Sequence, residues 1–213
     1  MKTGLQIKIC GLSTPEAVRA ARGASHNGFV FYPPSPRSVS PRRAGELARD
    51  ATARRVAVVV DPDDGLVESI LEFLNPDFLQ LHGHETPDRA RDLADRYGVG
   101  IMKALRISAP VDVEDALIWD GVADALLFDA RPPAGATLPG GNGASFDWTL
   151  LADFDSACPW FLSGGLDAAS VRGALETVSP DGVDVSSGVE DAPGVKNPER
   201  IRAFIATVQG HPG

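Results

Sequence analysis

The stretch RVAVVVDPDDGLVESILEFLNPDFLQLHGHETPDRARDLADRYGVGIMKA, residues 55–104, decides the fold. Three of its runs, 55–60, 77–81 and 100–104, are short and apolar nearly throughout. Such runs suit parallel strands covered on both faces. Helical patterns separate them, and the second opens at Thr86-Pro87, a hydroxyl cap followed by a proline in the first turn. The segment reads as strand, helix, strand, helix, strand.

The same alternation runs outward to both ends. Further strand candidates are 6–10 (QIKIC), 28–31 (GFVF), 123–128 (ADALLF), 159–162 (PWFL) and 182–185 (GVDV). Ser13-Thr14-Pro15-Glu16, Ser40-Pro41 and Asn197-Pro198 open other helices. Eight strands and up to eight helices in 213 residues predict an α/β fold, a compact single-domain (β/α)8 barrel over 1–213. An open doubly wound sheet competes, but it usually has fewer strands and gives no reason for rich motifs after so many of them. The loop 129–145, holding Pro132, Pro133, Gly135, Pro139, Gly140, Gly141 and Gly143, is the one long irregular stretch, and such loops usually serve function.

Charge and composition narrow the function. A net charge of −9 repels a phosphate polymer, so nucleic acid is excluded as a partner. No apolar run reaches bilayer length, which argues against a membrane partner. The opening MKTGLQIKICG lacks the apolar stretch of a signal peptide, so a cytoplasmic protein is expected. Cys10 and Cys158 form no CxxC pair and are expected to be free thiols. His82 and His84 flank Gly83 without a third ligand, so no metal is expected. Whether the chain is a monomer or a homodimer is not legible.

In a barrel the chemistry gathers at the carboxyl ends of the strands. Gly164-Gly165 after the seventh strand and Ser186-Ser187-Gly188 after the eighth let backbone N–H groups approach an anion. Either loop alone reads as a tight turn; the adjacent pair reads as a phosphate site. Cys10 and Asp129, ending strands one and six, can act as general base and general acid across the mouth. Separately, each has a blander reading, as a small buried hydrophobe and as a turn cap. Lys8 shares the inward face of its strand with Cys10, and Lys8 or local backbone donors are the expected activators of the thiol. Arg37 sits in a proline-rich loop and can present its fork to a carboxylate.

Taken together, KICG at 8–11, GFVFYPPSPRSVSP at 28–41, QLHGHE at 80–85, LLFDARPP at 126–133, GGNGASFDW at 140–148, LSGGL at 162–166 and GVDVSSGVEDAPGVK at 182–196 resemble the phosphoribosylanthranilate isomerases of tryptophan biosynthesis. The resemblance covers about residues 6–205. It implies a cofactor-free Amadori rearrangement of a small phosphosugar, N-(5′-phosphoribosyl)anthranilate, to 1-(2-carboxyphenylamino)-1-deoxyribulose 5-phosphate. It implies Asp129 as the acid that opens the ribose ring and Cys10 as the base at the adjacent carbon. It also implies Arg37 on the anthranilate carboxylate, His82 in the substrate site, and the phosphate on Gly164, Gly165, Ser186, Ser187 and Gly188.

Three departures stand out. Ser25-His26-Asn27 replaces the family's more usual lead into the second strand, so that turn is expected to differ. Ala57 and Val59 occupy a stretch usually read as VGVF, and the loop before GGNG is long. Histidine-pathway isomerases use an aspartate where Cys10 stands, and an indole-glycerol-phosphate synthase would need more than this chain's four lysines. A non-catalytic phosphate-binding barrel is the alternative of another class.

Overall fold

The computed structural model describes residues 4–49, 51–131, 140 and 145–211. Eight parallel strands close in chain order: β1 (Gln6–Cys10), β2 (His26–Val30), β3 (Arg54–Val59), β4 (Phe78–Leu81), β5 (Gly100–Ile107), β6 (Ala125–Ala130), β7 (Trp160–Leu162) and β8 (Gly182–Val185). The last strand returns to the first, with Lys8 opposite Asp184, so neither edge is left unpaired. All eight expected strands form. β1 and β8 keep their expected bounds, and the other six shift by one to three residues at an end. β2 begins at His26, because His26 and Asn27 ladder with Lys8 and Ile9 on one side and Arg54 and Arg55 on the other. β5 runs on to Ile107, because its ladder with β6 continues as far as Ala130.

The helices are α1 (Pro15–Ala20), α2 (Pro41–Ala48), α3 (Asp64–Leu74), α4 (Pro87–Tyr97), α5 (Pro110–Glu114), α6 (Val171–Thr177) and α7 (Pro198–Gln209). Thr14, Ser40, Thr86 and Asn197 each accept a first-turn N–H, and each is followed by proline, as the sequence predicts. Between β6 and β7 the described residues supply one 3-10 turn, Trp148–Leu151, in place of a full helix. Residues 132–139 and 141–144, which hold most of the expected functional loop and parts of the motifs at 126–133 and 140–148, lie outside the described residues. An antiparallel hairpin, β9 (Glu190–Ala192) and β10 (Val195–Lys196), sits between β8 and α7 and was not expected from the sequence. Its strands are too short to show a period, and Pro193-Gly194 was the only turn signal.

Alternation sorts the side chains. Ile7, Ile9, Phe29, Leu79, Leu126, Phe128 and Val183 pack outward under the helices. Inside, Met102, Ala104, Ala125, Leu127 and Phe161 plug the amino-terminal half of the barrel. Above that plug the interior turns polar: Lys8, fully buried, pairs with Asp184 at 2.7 Å. Cys10, Val30 and Val58 cluster higher still, with Tyr32 packed against them. Among the described residues no helix is long and apolar enough to cross a membrane.

His26 lies inside the plug, edge-on to Phe161 at 5.2 Å. Burial, with Lys8 and Arg54 adding to it, lowers its pKa from 6.5 to about 4. The folded protein thus excludes a proton that the unfolded chain binds between those values, and stability falls as pH drops through that window. The expected loss is roughly 2 kcal/mol between pH 7 and pH 5. Urea unfolding at the two pH values checks it: His26→Phe should show a smaller difference than the parent by about that amount.

Candidate active site

At the carboxyl ends of the strands a cavity of about 800 Å³, open mouth included, gathers Cys10, Arg37, His82, Asp129, Gly164, Gly165, Ser186 and Ser187. Eight of the nine residues singled out in the sequence therefore meet at one place. The ninth, Gly188, stands behind the lining. A Cβ there would lie 1.9 Å from the Leu166 carbonyl oxygen, so the loops after β7 and β8 press directly on one another. On the other side Gly164 adopts φ +85 against the backbone N–H of Ala130, next to Asp129. Only glycine satisfies both the backbone angle and the space. The loops after β7 and β8 thus form one continuous wall.

Cys10 closes β1 opposite Gly28 of β2. Its thiol is buried, and burial pushes its pKa up. The ammonium of Lys8, which hydrogen-bonds to it, and that of Lys196 oppose this shift; the carboxylate of Asp184 reinforces it. The expectation of a thiol already activated by Lys8 is corrected here. Lys8 does face Cys10, but Asp184 engages its charge, and desolvation outweighs the rest. Asp184 also accepts a hydrogen bond from Ser163 at 3.0 Å, so its carboxylate is held on two sides.

Asp129 is the penultimate residue of β6, in register with Arg106 of β5. Its Oδ1 accepts the N–H of Ala130 at 2.9 Å, and its Oδ2 lies 3.5 Å from Nε2 of His82. His82 follows β4 and is itself approached by Gln80, at 3.0 Å on Nδ1. Among the described residues no group of acidic, cysteine or histidine side chains is arranged to hold a metal.

Arg37 reaches the mouth from the loop after β2, its stem crossing Gly11 so closely that a Cβ there would meet Cδ at 2.7 Å. It is buried, and its Nε and Nη2 donate to the two oxygens of Glu190 at 2.7 and 2.8 Å. Lys196 donates to Glu190 as well and to the Ser186 carbonyl at 2.9 Å. Burial alone would raise the Glu190 carboxyl. The Arg37 fork and the Lys196 ammonium more than reverse that and hold it below the usual carboxylate range. Neither Glu190 nor Lys196 was singled out as a site residue, although both lie in the quoted stretch 182–196. The unforeseen hairpin is what carries them inward.

Comparison with known proteins fixes the lineage. Residues 7–207 match the family model described as N-(5′-phosphoribosyl)anthranilate (PRA) isomerase. This chain belongs to that family. A Chelativorans protein named N-(5′-phosphoribosyl)anthranilate isomerase is 50% identical over 213 residues, covering 98% of each chain. A Brucella canis protein of the same name is 50% identical over 208 residues, covering 96% of this chain and 94% of its own. The phosphoribosyl anthranilate isomerase of Thermotoga maritima superposes with a TM-score of 0.86 at 33% identity, covering 97% of this chain and 99% of its own. A second such structure, solved with reduced 1-(o-carboxyphenylamino)-1-deoxyribulose 5-phosphate, has a TM-score of 0.82 at 32% identity and the same coverage.

Glu190 is buried between two cations, so its loss leaves both uncompensated. Glu190→Gln should destabilise the protein by roughly 3 kcal/mol, read from urea unfolding at neutral pH. A change below about 0.5 kcal/mol, typical of surface sites, would show that the triad is not structural.

Proposed function

We propose that this family member converts N-(5′-phosphoribosyl)anthranilate to 1-(2-carboxyphenylamino)-1-deoxyribulose 5-phosphate, with Asp129 as general acid and Cys10 as general base. The observation that carries the reading is the placement of a carboxyl, a thiol, an arginine and a double-loop anion wall around one cavity. The substrate has matching parts: a phosphate, a carboxylate, and between them a sugar that needs one acid and one base. The phosphate lies against Gly164, Gly165, Ser186 and Ser187, with Gly188 shaping the loop behind. The anthranilate carboxylate meets Arg37, which the loop after β2 brings to the mouth. His82 lines the sugar's place beside Asp129.

The proton flow balances without a cofactor. Asp129 gives its proton to the ring oxygen as the C1′–O bond breaks and the nitrogen lone pair forms an iminium at C1′. The thiolate of Cys10 takes the C2′ proton, and the released pair forms the C1′=C2′ bond of an enolamine while the nitrogen regains its lone pair. C1′ then takes a proton from Cys10, the 2′-hydroxyl returns one to Asp129, and the ketone remains. The cationic iminium and the ammonium groups of Lys8 and Lys196 favour the thiolate against the burial that opposes it. The substrate is a small molecule and the setting cytoplasmic, where the two free thiols stay reduced.

Turnover is followed by the loss of substrate fluorescence. Cys10→Ala and Asp129→Asn should each lower kcat by roughly 10²–10⁴ in a folded protein. Arg37→Met should mainly raise KM for the same substrate. Because burial raises the thiol pKa, kcat/KM should still be climbing above pH ~8.5, the ordinary thiol value. A plateau reached by pH 7 would remove Cys10 from the role of base.

A further inference from the structure

Gln80 and His82 lie two apart at the end of β4, with their side chains in contact on the inner face of the barrel. The backbone of His82 is pinned from both sides: its N–H donates to Val59 at 2.9 Å, and its carbonyl accepts from Arg106 at 3.0 Å. The ring is therefore aimed, and what remains open is where its proton sits. Gln80 is almost wholly buried, and its amide nitrogen stands 3.0 Å from Nδ1 of His82. With the amide nitrogen turned to the ring, Gln80 donates and Nδ1 offers its lone pair. A neutral imidazole that accepts at Nδ1 carries its proton on Nε2.

That Nε2 is buried and without a hydrogen bond, and 3.5 Å away lies Oδ2 of Asp129. Gly140 closes over the pair. A Cβ on it would lie 2.6 Å from Nε2 and 2.8 Å from Oδ2, so the backbone shields both atoms. We infer that Gln80 is a positioning residue: by donating to Nδ1 it fixes His82 as an Nε2–H donor toward Asp129. This rests on the reading of Asp129 as the acid.

The consequence is directional. When Asp129 gives its proton to the ring oxygen, its carboxylate gains a full charge in a buried site. The Nε2–H of His82 needs to close only a few tenths of an ångström to bond that charge. The same tautomer keeps His82 from competing for the proton, because Nε2 already carries one and Nδ1 is occupied by Gln80. The opposite tautomer would place a lone pair against Asp129 and draw the proton away from the sugar.

The test reads the tautomer and the rate separately. ¹⁵N-histidine NMR of the unliganded protein, with His82 assigned by its loss in His82→Asn, should show the proton on Nε2. Gln80→Met removes the donor and should give mixed tautomers. Gln80→Glu supplies an acceptor and should move the proton to Nδ1. Both variants should lose about tenfold in kcat, with KM within twofold of the parent. A proton on Nδ1 in the parent overturns the inference whatever the variants do, so it stays testable even if a variant fails to fold. An unmoved tautomer in both variants overturns it too, as does a moved tautomer with parental kcat. Full activity in Asp129→Asn would instead sink the acid role while leaving the tautomer result standing.

Discussion

The ion pair of Lys8 with Asp184 is the constraint on which the rest of the site depends. It joins the first strand to the last inside the barrel, at the seam where the sheet closes. Two charges out of water are costly, and a pair of good geometry with added hydrogen bonds offsets that cost without creating much net stability. Its value is therefore one of placement. Ser163 donates to Asp184 from just past β7, and Lys8 reaches Cys10 two residues up its own strand. Three consecutive strands around the closure are thereby fixed in height, and the thiol and the loops after β7 and β8 sit directly above them.

The hairpin after β8 extends the same logic outside the sheet. Glu190 holds Arg37, which comes from the loop after β2, while Lys196 holds Ser186 at the head of the loop after β8. Gly194 packs against the Pro36 carbonyl, 2.6 Å from where a Cβ would stand, so hairpin and proline-rich loop lock together. The loop after β2 and the loop after β8 are thus held against each other through one carboxylate. A rigid first contact shell supported from behind is what acid–base geometry requires.

How much of this was legible follows from what leaves a local signature. The eight strands were readable because buried parallel strands are apolar runs, and the helix starts because Thr14, Ser40, Thr86 and Asn197 cap in their own turn. The glycines at 164, 165 and 188 were readable because backbone approach demands them. Contacts between distant segments left no such trace. His26 and Asn27 look like a polar turn, and only the ladder shows that they are barrel interior. Glu190 and Lys196 look like surface charge until a two-residue turn folds them onto Arg37. Gln80 reads as one polar residue in an apolar strand, and its meaning depends on the neighbour whose ring it touches. The pull of Lys8 on Cys10 was anticipated from strand alternation, but the size of the opposing desolvation was not.

One puzzle of the composition resolves at this level. A chain of net charge −9 is asked to attract a substrate bearing both a phosphate and a carboxylate. Of its four lysines, the three that the structure describes, Lys8, Lys103 and Lys196, are all buried, each against a carboxylate. Lys8 with Asp184 and Lys103 with Glu85 are balanced pairs and add no net charge. The third group is not balanced: Arg37 and Lys196 share the single carboxylate of Glu190, which leaves one positive charge in excess within that triad. Surface carboxylates act through water and are screened within about 10 Å at ordinary ionic strength, whereas a charge in a buried pocket is screened much less. An anion near the Arg37–Glu190–Lys196 triad therefore meets that local excess at short range, while the acidic exterior acts on it only through screening water.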